Sequence, residues 1–119
     1  MPVAQAKAIM ADPELDLRAI LKLLNAFKRG EFNTRAPEGL SGLQGKVADA
    51  LNDLAEMNLT FAGEVSEMAE TIRSGRTKHR ISRSRRRGGW SSSISGVNAI
   101  ADELTEHTNE IVSVVAAVA

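Results

Sequence analysis

The sequence predicts an all-α fold, on three observations. Apolar residues recur at heptad spacing along two stretches of the 119-residue chain, and the second stretch repeats the first 46 residues later. Only four aromatic residues occur, Phe27, Phe32, Phe61 and Trp90, with no tyrosine, so the core must be packed from Leu, Val, Ile, Ala and Met, as helical bundles pack theirs. Hydrophobic residues make up 43% of the chain, enough for one small domain or two very short repeats.

Taken in order, residues 1–13 read as an N-terminal extension. A first helix is expected near 14–29, where Ile20, Leu23 and Phe27 keep helical spacing and Gly30 follows three residues later. Glycine just past a periodic helix is the usual left-handed cap, because it lacks the Cβ that opposes positive φ. A connector is expected near 30–40, with Pro37, Gly39 and Gly42 marking it as non-helical. The long helix near 42–74 carries the clearest ladder: Leu51, Leu54, Asn58, Phe61, Val65, Met68 and Ile72, in alternating steps of three and four. That rhythm keeps one seam facing a partner helix in a left-handed bundle. Gly75 ends it, a second connector fills 75–89, and a last helix starts near 90. Its ladder is Val97, Ile100, Leu104, His107, Ile111, Val114 and Val118.

The two ladders make a repeat. Asn52 and Asn98 each follow the first member of their ladder. At an offset of 45, Ile20, Leu23 and Phe27 map onto Val65, Met68 and Ile72, and Gly30 and Gly75 are each followed five residues later by an arginine, Arg35 and Arg80. The chain therefore divides into a first copy, 14–61, and a second, 62–108, sharing the long helix without a flexible linker. Ile111, Val114 and Val118 would call for a glycine near position 121, so residues 109–119 read as the start of a third, truncated copy.

Composition excludes several function classes. Without cysteine there is no disulfide framework, thiolate zinc site or cysteine nucleophile. The longest nearly apolar stretch, 111–119, is far short of the ~20 residues that span a bilayer, and the N-terminus lacks a basic-then-apolar signal pattern. A cytoplasmic location without a transmembrane segment is expected. Fifteen basic and fifteen acidic residues balance to zero net charge, yet no acid lies between Glu70 and Asp102. Segment 73–87 carries +8 and the rest of the chain −8.

A short helix with a glycine end, a connector of about a dozen residues and a second heptad helix, repeated about every 45 residues, resembles the HAMP signalling domain in its tandem form. The resemblance is carried by Leu21–Arg35, Gly42–Leu54, Gly75–Ile81 and Gly89–Leu104, and covers nearly all of the chain after residue 14. These stretches are similar to HAMP arrays in sensor histidine kinases, including hybrid kinases. The resemblance implies two fused repeats in a parallel four-helix coiled-coil bundle formed as a homodimer, with each connector along the outside. It also implies a function: relay of conformational change, by alternative helix packings, toward an adjoining kinase or further HAMP modules. The seam ladders would form the bundle core, with Gly30 and Gly75 as caps and Phe32 and Ile81 as connector plugs. Two departures stand out. The acid often found at the start of the family's second helix is missing from Ser41-Gly42-Leu43 and from Gly88-Gly89-Trp90, and an arginine run follows Ile81 where apolar connector residues are expected.

Neither histidine fits a phosphoacceptor. His79 is followed by Arg80 and His107 by Thr108, where that motif has an acid. His107 reads as a packed seam residue and His79 as a solvated connector residue. Gly39, Gly42 and Gly45 lack the Lys-Ser/Thr ending of a phosphate-binding loop, so ATP binding is not expected. No catalytic residue, metal ligand or cofactor is assigned. Asn58 is either a chance polar position or a buried amide that sets register. Met57 and Met68 read as core filler, Trp90 as an anchor for the last helix, and Glu56, Glu64, Glu67 and Glu70 as a solvated face. The rival to a relay is a small coiled-coil protein binding nucleic acid or anionic membrane through segment 73–87, with Arg83, Arg85, Arg86 and Arg87 as anion ligands. The simpler reading of those charges is neutralisation of nearby acidic helices.

Overall fold

The computed structural model describes residues 14–118; the N-terminal extension and Ala119 lie outside the described residues. Among the described residues there are three helices and no strand: α1, Leu17–Lys28; α2, Gly42–Arg73; and α3, Gly89–Val118. The chain is all-α, as the periodicity predicts. No helix of the described residues is long and apolar enough to cross a membrane.

Capping chemistry sets the helix ends. α1 starts at Leu17 because the Asp16 carboxylate accepts a 2.8 Å hydrogen bond from the Ala19 N–H, satisfying one of the free donors of the first turn. Both glycine caps take the same form. The Gly30 N–H donates to the Phe27 carbonyl and the Glu31 N–H to the Ala26 carbonyl, each at 2.9 Å. The Gly75 and Arg76 N–H groups donate to the carbonyls of Ile72 and Thr71, each at 3.0 Å. These are paired Schellman bonds, and they need φ of 81° at Gly30 and 97° at Gly75, which glycine adopts without Cβ strain.

The chain forms two compact units that divide between Phe61 and Ala62, inside α2. In the first, Leu15, Leu23, Ala36 and Ala48 form a buried cluster, with Ala19, Ile20, Phe27, Leu40 and Leu51 packed against it. The connector thus contributes Ala36 to the core directly. In the second, the buried apolar residues are Met68, Ile81, Ile94 and Ala101. Each is the repeat counterpart of a buried residue in the first unit: Leu23, Ala36, Ala48 and Ala55. The offset is 45 as far as Ala36 and Ile81 and 46 from Leu40 and Arg86 onward, so the second copy carries one inserted residue within its connector.

Gly45 is required by a close approach of backbone to backbone. A Cβ there would run into the Leu40 carbonyl, whose carbon would lie at 2.9 Å. That approach brings the end of the first connector against the first turn of α2.

Candidate functional site

Each unit contains the same polar grip on its connector. In the first, the Ala36 N–H donates to Asn52 Oδ1 at 2.6 Å, and Asn52 Nδ2 donates back to the Ala36 carbonyl at 3.2 Å. In the second, the Ile81 N–H donates to Asn98 Oδ1 and Asn98 Nδ2 donates to the Ile81 carbonyl, both at 3.0 Å. A carboxamide carries a donor and an acceptor side by side, so it replaces the strand partner that an extended residue would otherwise need. The need is strict here, because Ala36 and Ile81 are buried and an unpaired backbone group is costly away from water.

An arginine completes each grip. Arg35 donates through Nη1 to the carbonyls of Phe32 and Thr34, and its Nη2 reaches Glu56 Oε2 at 2.7 Å. Arg80 donates through Nη1 to the carbonyls of Thr77 at 2.6 Å and His79 at 2.7 Å, and its Nε reaches Asp102 Oδ1 at 2.8 Å. Arg80 Nη2 also lies 3.4 Å from the Thr105 hydroxyl. The two arginines hold the same connector positions and reach an acid at the same position of the following helix, Glu56 and Asp102. Spacing singles out Arg35 and Arg80; the partners become visible only once the connectors fold back along their helices.

A third interaction is apolar in one unit and ionic in the other. Ala19 and Leu40 pack against the first core, and their counterparts are Glu64 and Arg86, which form an ion pair. The Arg86 and Glu64 side chains are only 19% and 26% exposed, so Glu64 does not belong to a solvated face, and Arg86 is not a free anion ligand. One guanidinium nitrogen of Arg86, Nη1, is buried without a partner. The arginine run therefore sits in the connector without breaking the repeat, because Arg86 turns inward at the position of Leu40.

Comparison with family models, with curated proteins and with solved structures returned no match.

The other sequence-predicted positions fall into two groups. Leu23, Met68 and Ile81 are buried, and Ile20, Phe27, Leu51, Asn58, Phe61, Val65, Ile72 and Val97 are half-buried. Leu54, Ile100, Leu104, His107, Ile111, Val114 and Val118 are exposed on the single chain. His107 is not packed within it: its ring lies 3.4 Å from Glu103 and is 59% exposed. His79 is half-buried rather than fully solvated, and Asn58 donates to the Leu54 carbonyl of its own helix at 2.8 Å. Phe32 is half-buried with its ring 6.1 Å from that of Phe27, but Ala36, not Phe32, holds the position of Ile81. Trp90 is half-buried in the first turn of α3. Among the described residues no cluster of His, Asp and Glu is placed to hold a metal ion.

Sequence reasoning missed the small residues of the buried face, Ala48, Ala55 and Ala101. Alanine carries little hydrophobic signal, yet its size lets a connector lie close to a helix. The available signal is their position, close on either side of each repeated asparagine: Ala48 and Ala55 about Asn52, Ile94 and Ala101 about Asn98.

Proposed function

We propose that the chain is a signal-relay module of a sensor histidine kinase: two fused HAMP-like repeats, working as a parallel homodimer, that pass a conformational state toward a kinase output module. One observation carries the reading. The same two-point grip, Asn52 with Arg35 and Asn98 with Arg80, fixes each connector to the helix after it. Such a strap keeps its place while the helices beside it change packing. Exposed apolar side chains support a second copy, since Leu54, Ile100 and Leu104 lie on heptad seams with 42%, 64% and 54% of their surface open. A helix shared by both repeats supports relay, because a continuous helix carries rotation along its axis and a flexible linker does not.

The test uses the absence of native cysteine. Leu54→Cys and Ile100→Cys are oxidised separately, and the unmodified chain is examined by sedimentation equilibrium. In a parallel dimer each seam residue faces its own counterpart, so both variants form disulfides and the chain has dimer mass. A monomer at every concentration, or disulfides only in a mixture of the two variants, overturns the proposal.

A further inference from the structure

Segment 73–87 sorts its eight basic residues into two sets. Arg73 pairs with Glu70, Arg80 with Asp102 and Arg86 with Glu64. Arg76, Lys78, Arg83, Arg85 and Arg87 are exposed and make no side-chain hydrogen bond or ion pair among the described residues. Local geometry keeps the last three outward. The Arg86 N–H donates to the Arg83 carbonyl at 3.0 Å, closing a turn in which Ser84 has a φ of 49°. The inward Arg86 side chain anchors this turn to α2 through Glu64, so its neighbours Arg85 and Arg87 project to solvent. No acid lies within 71–101, and the first turn of α3 adds none.

We propose that this turn binds the phosphate backbone of a nucleic acid, with Arg83, Arg85 and Arg87 as the main ligands. Arginine forks match phosphate oxygens with two parallel hydrogen bonds, and release of counterions from the polyanion drives association. Lipid is the weaker occupant, because residues 74–88 contain one large apolar side chain, Ile81, and it is buried in the core, leaving nothing to insert below the headgroups. Base-specific readout is not expected, since no Phe, Tyr or Trp lies in the segment to stack on bases. The proposal stands independently of the relay reading.

Fluorescence anisotropy of a labelled duplex of about 20 base pairs, titrated with the full chain from about 50 to 300 mM salt, tests it. The triple variant R83A/R85A/R87A is expected to lower the slope of log K against log salt by about three, near 0.9 for each phosphate no longer neutralised. The single variant R85A should lower it by about one. E70A/R73A removes a paired cation together with its acid, outside the turn, and should keep the wild-type slope. Circular dichroism of each variant verifies that the helices persist. An unchanged slope in R83A/R85A/R87A and R85A, or a fall in E70A/R73A equal to that in R85A, overturns the proposal. So does binding of the wild type to phosphatidylserine vesicles with none to the duplex.

Discussion

Asn52 holds both backbone groups of Ala36 from 16 residues away, with Oδ1 accepting from the N–H and Nδ2 donating to the carbonyl. Asn98 does the same for Ile81 at a separation of 17. Truncating either asparagine leaves a buried donor and a buried acceptor unpaired, which costs about 1–3 kcal/mol for each group. Asn52→Ala and Asn98→Ala should each destabilise the chain by about 2 kcal/mol or more, read as a lower urea midpoint. Asn52→Asp puts a carboxylate oxygen against the Ala36 carbonyl in place of the donor, so its midpoint should also fall well below that of wild type.

The Arg86–Glu64 pair lends itself to a double-mutant cycle. Removing one partner of a largely buried pair strands the other charge, and about 2–3 kcal/mol should be lost in Arg86→Leu or Glu64→Ala. The double variant E64A/R86L installs the residues that the first unit uses, Ala19 and Leu40. It should be at least as stable as wild type in thermal melts, since apolar packing of suitable volume avoids the desolvation that an ion pair incurs.

Two glycines should respond differently to alanine. At Gly30 nothing lies within 4 Å of a new Cβ, so only the φ of 81° opposes it and the loss should be about 1 kcal/mol. At Gly45 the Cβ would meet the Leu40 carbonyl, so the connector end must move and the loss should be clearly larger. A Gly45→Ala midpoint equal to that of Gly30→Ala would refute the close approach.

Ser84 is exposed and has a φ of 49°. Ser84→Gly should raise stability by up to about 1 kcal/mol, the left-handed penalty less the added freedom of the unfolded chain. Ser84→Val should lower it, because a β-branched residue tolerates that region least. Thermal melting of the two variants checks the sign of each effect.

Leu54→Asp and Ile100→Asp test the seams. Both side chains are exposed on the single chain, so a carboxylate there leaves the units themselves intact. In a dimer it would be buried without a partner, at several kcal/mol. Helical monomers by circular dichroism and sedimentation are expected. Full dimer mass in both variants would remove the seam assignment.

Much of this fold is legible in the sequence, and the part that is not has a common cause. Helix ends follow from periodicity and from Gly30 and Gly75, because caps and heptads are local properties of the chain, whereas α1 starts at Leu17, after the Asp16 cap, and not at the expected 14. The register of the repeat is visible in the ladders. Where a connector lies cannot be read in the same way, since that depends on hydrogen bonds across 16 residues or more, as between Ala36 and Asn52. Position marks Asn52 and Asn98 but does not reveal their task, and Ala36 stands out as the counterpart of Ile81 only when the connector is seen against its helix. The same gap makes Arg86 read as an intruder and Glu64 as a surface acid.

Aligned on the repeat, the second connector carries one inserted residue, and the place where that residue goes has a consequence for how such a chain can change. Ala36 matches Ile81 at 45 and Leu40 matches Arg86 at 46, so the insertion falls within 82–85, where the turn around Ser84 takes it up. One residue added inside a helix would swing every later side chain by about 100° and scramble the seam. Added at this turn, it leaves the phase of α3 untouched. The turn therefore works as an expansion joint: a short tag or fluorophore-bearing insert placed beside Ser84 is expected to lengthen the connector without shifting either ladder.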